Sequence, residues 1–135
     1  MSAGLGNTRE EVLRNISLGG TRTLAKAAEA TESGERAQRF VREYPDAGMS
    51  HIADHATRTA QKAQQAAYSV STKIRYLDES LSLDQLREIE RQILRLETLA
   101  DASARGAAFY AGQISTTRWD GNIPTQGPTA SRITE

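Results

Sequence analysis

The sequence has no cysteine, so disulfides and thiolate metal sites are excluded and the redox compartment is left open. Aromatic residues are few: two Phe, four Tyr and one Trp in 135 residues. With much of the apolar content supplied by alanine, there is too little bulk for a thick globular core, but enough for thin helix-on-helix layers in one domain. The net charge is zero, and acidic and basic residues balance in each part of the chain. A neutral chain without a basic block is a poor starting point for nucleic-acid binding. No run approaches the ~20 apolar residues that span a bilayer. The first residues, MSAGLGNTREE, show neither the basic nor the apolar region of a secretory signal.

What the sequence does have is a seam. Ala56, Ala60, Ala63, Ala67, Val70, Ile74 and Leu77 follow one another in alternating steps of four and three. A second seam comes after a short break: Leu86, Ile89, Ile93, Leu96, Ala100, Ser103, Ala107, Tyr110 and Ile114. Steps averaging 3.5 residues belong to helices that wrap around one another. The expected fold is all-α: a long, coiled-coil-like antiparallel hairpin, an additional bent N-terminal helix and an extended C-terminal tail.

Punctuation refines this reading. Residues 1–7 read as a flexible arm, and Thr8 with Glu11 forms a capping box that starts a helix. Gly19-Gly20 is expected to interrupt it, giving helices over about 8–18 and 21–44. Tyr44-Pro45 ends the second and Asp46-Ala47-Gly48 is turn chemistry. Ser50 is expected to cap a helix over about 51–78, and Ser82 with Gln85 opens the last one, over about 83–115. Together these make a helical domain over 8–114. Residues 115–135, rich in Thr, Gly, Pro and Ser, read as the tail.

The hairpin is bulky near its turn and small at its open end. A reversal near Ser80 sets Ile74 opposite Leu86, and Ala56 and Ala60 opposite Ala104 and Ala100. The expected assembly surface is therefore Ala56, Ala60, Ala63, Ala67, Ala100, Ala104, Ala107 and Tyr110, a shallow groove waiting for residues 21–44 or for a neighbouring copy. Trp119, the single tryptophan, is expected to work with Ile123 as an anchor, because tryptophan is over-represented among interface hot spots.

No catalytic constellation is present, and the expectation is a protein that is not an enzyme. There is no nucleophile elbow, no phosphate loop and no dinucleotide fingerprint. His51 and His55, with Asp54 between them, could offer two or three ligands from one helix face. Ile52 stands where a metalloprotease has glutamate. No third or fourth ligand is evident, so the motif reads as a solvated first turn, and neither metal nor cofactor is expected. Arg87, Arg91 and Arg95 line one face and could meet phosphate; the plainer reading is a solvated face balanced by Glu88, Glu90 and Glu97.

Stretches such as Arg58-Thr59-Ala60-Gln61-Lys62-Ala63-Gln64-Gln65-Ala66-Ala67, and Ala27-Ala28-Glu29-Ala30-Thr31-Glu32-Ser33-Gly34, give residues 20–112 a distinctive composition. In this the chain resembles the internal virion (ejection) proteins of short-tailed phages. The resemblance implies a non-enzymatic structural protein packaged with DNA in the virion and released into the cell envelope at infection. Its partners would be copies of itself, assembled as a ring or tube, and other virion proteins. The alternative reading is a cytoplasmic helical binding module, or a chaperone or component of a secretion system.

Overall fold

The computed structural model describes residues 6–116. The tail with Trp119 and Ile123 lies outside the described residues. The fold is all-helical, with α1 over Arg9–Glu43, α2 over Ser50–Arg75 and α3 over Leu83–Thr116. A one-turn 3-10 segment, Pro45–Ala47, joins α1 to α2. Each helix packs against both others, so α1 completes a three-helix bundle and does not simply accompany a hairpin. It runs antiparallel to α2, with Gly20 beside Ile74 and Gln38 bonded to Ala53 O, and parallel to α3, with Gly19 beside Ile93 and Arg22 paired to Glu97. At 1.5 Å per residue, α1 is on the order of 50 Å long.

Local chemistry accounts for most of the ends. The Thr8 hydroxyl accepts from Glu11 N–H while the Glu11 carboxylate reaches back to the Thr8 backbone, so the capping box is formed. The Ser82–Gln85 box is formed in the same way. Tyr44 closes α1, and Gly48, at φ 74°, turns the chain in the left-handed region that glycine enters without cost. Ser50 does not act as a cap. It is the first helical residue of α2 and the cap position falls to Met49, whose side chain packs on the apolar cluster of that end. α2 also stops at Arg75, three residues short of the expected end.

The interruption expected at Gly19-Gly20 is absent: Arg9 to Glu43 is one helix. The pair has a different use. A Cβ on Gly19 would lie 2.8 Å from Ile93 Cγ2 in α3, and one on Gly20 would lie 2.5 Å from Ile74 Cδ1 in α2. Adjacent glycines let α1 approach both neighbours at one level. The intrinsic cost of a glycine, roughly 1 kcal/mol each, is outweighed here by tertiary packing.

The core has three storeys. Near the α2–α3 connection it is aliphatic, with Val12, Ile16, Val70, Leu86 and Ile93 flanked by Ile74, Leu77 and Leu83. In the middle every buried apolar residue is alanine: Ala27 and Ala30 from α1, Ala60, Ala63, Ala66 and Ala67 from α2, Ala100, Ala104 and Ala107 from α3. At the far end Ala37, Ala53, Ala56, Ala111 and Ile114 are edged by Phe40, Met49, Ile52 and Tyr110. Thr23, fully buried, donates to Gly19 O at 2.7 Å, so its hydroxyl is satisfied within its own helix.

The end of the N-terminal arm is pinned. Gly6 N–H donates to Glu90 Oε2 at 3.0 Å, Arg87 donates to Asn7 O at 3.1 Å, and Arg9 reaches Leu81 O at 2.8 Å across to the α2–α3 connection.

Two glycine substitutions have opposite expected signs. At Gly34 an added Cβ would make only ordinary contacts, 3.5 Å from Ala60 Cβ and from Thr57 Cα, so Gly34→Ala gains about 0.5–1 kcal/mol of stability. At Gly19 it would meet the stiff, buried Ile93, so Gly19→Ala loses about 1–3 kcal/mol. Urea unfolding of both variants checks the pair; equal shifts would contradict the close approach.

Candidate interaction surface

The alanines expected to form an assembly surface are inside the bundle. Ala56, Ala60, Ala63, Ala67, Ala100, Ala104 and Ala107 are all buried, the most exposed at 6%. α1 fills the groove: Gly34 lies against Ala60 and Ala56, and Ala27 and Ala30 complete the alanine storey. A groove of small residues is a strong signal for close helix approach, but the signal does not say which helix approaches. As an interface between copies, these seven positions are corrected: they are the core of one chain.

Tyr110, the eighth position, lies elsewhere. Its ring stacks on His55, with centroids 5.3 Å apart and planes 20° apart. His55 in turn meets His51 edge-to-face at 4.6 Å, and Phe109 lies against Tyr110 at 5.6 Å. Phe40 and Tyr44, at the end of α1, make a separate ring pair at 4.8 Å. Three helix ends place the two groups at one end of the bundle: the last turns of α1, the first turns of α2 and the last turns of α3. Phe109 is 61% exposed and Tyr44 45% exposed. Among the described residues, four of the six aromatic side chains thus lie at the end of the bundle from which residues 117–135 continue, while Tyr68 and Tyr76 stand exposed elsewhere.

The polar contacts here hold geometry. Gln38 donates to Thr57 Oγ1 at 2.8 Å and to Ala53 O at 3.2 Å, tying α1 to α2. Arg58 Nη2 lies 3.3 Å from His55 Nδ1, and His51 Nε2 lies 3.3 Å from His55 Nε2. On the outer side of α2, Gln61, Gln64, Gln65, Tyr68 and Ser69 line an open depression. All five come from one helix, so no groups converge there for chemistry. Among the described residues no cluster of three or more His, Cys, Asp or Glu is placed to hold a metal ion. No helix among them is long and apolar enough to cross a membrane.

The arginine stripe is largely engaged by its own chain. Arg87 holds Asn7 O, and Arg91 pairs with Glu88 at 2.9 Å. Two of the acidic residues expected to balance the stripe on a solvated face do other work. Glu90 is buried, with Oε2 accepting from Asn15 Nδ2 at 2.7 Å and from Gly6 N–H. Glu97 pairs with Arg22 of α1 at 2.7 Å, which raises the Arg22 pKa. The signal for Glu90 was in its spacing: four after Leu86 and three before Ile93, it falls within the seam. A second ion pair between α1 and α3 joins Lys26 to Asp101, at 3.3 Å.

No protein-family model matches the chain, and no curated protein or solved structure matches it.

Four carboxyls, two exposed and two half-buried, are held below their ordinary range. The backbone N–H groups of Asn7 and Thr8 lower Glu11, and the Ser80 hydroxyl and N–H lower Asp78. The Arg91 guanidinium, then the Gln92 amide, lowers Glu88, and Lys26 is the main cause at Asp101. A carboxyl with a lowered folded pKa stabilises the fold above its unfolded value, and that contribution is lost as the pH falls through the folded one. Stability is therefore expected to be level near neutrality and to drop below about pH 4. Urea midpoints measured from pH 7 to pH 3 check this, and Glu11→Gln is expected to flatten part of the slope. A midpoint that rises on acidification would contradict it.

Proposed function

We propose that this chain is a non-enzymatic structural protein that assembles with copies of itself, the aromatic end of one copy receiving the tail of the next. The observation that carries this reading is the exposed ring cluster at the end of the bundle where α3 runs out towards residues 117–135. Those residues hold the chain's one tryptophan, Trp119, and Ile123, the pair read as an anchor. Fully extended, residues 117–135 reach on the order of 60 Å, more than the length of the bundle. A tail seated on another copy's end joins two different surfaces. Such a contact is heterologous, and it propagates into a ring if the rotation closes and a filament if it does not.

The setting we propose is a phage particle, where the protein would be a component of the DNA-ejection apparatus. It would be carried in the virion and released into the envelope of the infected cell. The compositional resemblance of residues 20–112 supports this setting. The reading as a binding module that takes a partner helix into an alanine groove has lost its groove to α1.

Sedimentation velocity over about 5–200 μM tests assembly. The expected result is a concentration-dependent species larger than the monomer. Trp119→Ala and Phe109→Ser should each reduce it tenfold or more in apparent affinity, the range of an aromatic hot spot worth about 2 kcal/mol. A full-length chain that stays monomeric throughout overturns the reading, as does assembly indifferent to both changes.

A further inference from the structure

We propose that His51 and His55 form a two-histidine chelate for a divalent ion of the zinc, nickel and copper class. The proposal stands on the first turns of α2 and does not require the assembly described above. The Nε2 atoms of the two imidazoles are 3.3 Å apart. Two imidazole nitrogens bound at about 2.0–2.1 Å to one tetrahedral ion stand roughly 3.3 Å apart. The pair is therefore already spaced for an ion to sit between the two nitrogens. The i, i+4 separation puts both rings over one helix face. Tyr110, stacked on His55, holds that ring in place from α3, so part of the ordering is complete before the ion arrives.

The contacts of the pair define what the ion has to displace. Arg58 carries only donors, so its approach to His55 Nδ1 marks that nitrogen as an acceptor. The neutral His55 ring then has its proton on Nε2, and His51 Nε2 accepts it. An ion bound by both Nε2 atoms takes the place of that proton. His55 shifts its proton to Nδ1, and Arg58 is released. Arg58 thus opposes the ion twice, through the tautomer it favours and through its charge. The positive end of the α2 dipole opposes it as well, which keeps the affinity modest. Among the described residues no third His, Cys, Asp or Glu joins the pair. The remaining positions are left to water. Nitrogen donors select zinc, nickel and copper over magnesium and calcium, which prefer oxygen.

Isothermal titration of the tag-free full-length chain with Zn²⁺, and separately with Ni²⁺, tests the site. One ion is expected to bind per chain, and Mg²⁺ or Ca²⁺ should not compete. His51→Ala and His55→Ala are each expected to weaken binding on the order of tenfold or more, since either change destroys the chelate. Arg58→Ala is expected to tighten it several-fold, about the effect of removing one nearby surface charge. Long-range ¹H–¹⁵N spectra of the imidazoles supply a readout that needs no variant: zinc should move the Nε2 resonance of both histidines together. No binding at 1 mM Zn²⁺ overturns the proposal. So does binding that survives both histidine changes, or that shifts only one ring.

Discussion

Three helices approach one another closely across a middle storey that contains no buried apolar side chain larger than alanine. Nearly everything else in the bundle follows from that closeness. Small residues must stand on all three facing helices at once, because a single larger side chain would hold the axes apart. α1 must run unbroken past both partners, so its paired glycines serve as a crossing point. A core of this kind gains little from each side chain. Among the described residues, thirteen of the nineteen buried apolar side chains are alanine, so stability depends on length and on the two ends.

The two ends are built from different materials. At the α2–α3 connection, branched aliphatics form the bulkiest storey, and a polar clasp closes over it. Glu90 collects the Gly6 N–H and the Asn15 amide, Arg87 takes Asn7 O, and Arg9 reaches the connecting segment. These contacts turn the clasp inward onto its own chain, although the second carboxylate oxygen of Glu90, Oε1, is buried without a hydrogen-bond partner. At the opposite end the side chains are rings and histidines, several of them exposed, held by stacking and by Gln38. An exposed aromatic surface beside a continuing chain is where contact with another molecule gains most. Both the proposed assembly contact and the proposed ion site fall at this end for one reason. It is where both histidines and four of the six aromatic rings among the described residues lie.

Much of the fold was legible because its signals are local or periodic. The alternating steps from Ala56 and from Leu86 mark α2 and α3. The Thr8 and Ser82 boxes mark two starts, and Pro45 with Gly48 marks the turn between α1 and α2. The interaction surface was less legible. Tyr110 belongs to the seam by spacing, yet its ring serves the exposed end, because the storey there is edged by larger groups than the alanine middle. His51 and His55 were visible as a pair, but the distance between their nitrogens depends on rotamers that Tyr110 and Arg58 help to set. Glu90 looked like a surface charge because residue type outweighed position.

The sequence by itself determined that the chain is helical, where most helices begin and end, and which faces are small enough for close packing. These properties arise from hydrogen bonds within a few residues and from a period of 3.5, so they need no knowledge of distant contacts. Only the tertiary structure decided that α1 occupies the groove between α2 and α3, that Gly19-Gly20 is a crossing and not a break, and that Glu90 is inside. A local rule assigns a glycine pair its cost, roughly 1 kcal/mol per residue, but cannot assign the gain from two neighbouring helices that meet at the same level. That gain depends on residues such as Ile74 and Ile93, more than fifty positions away along the chain.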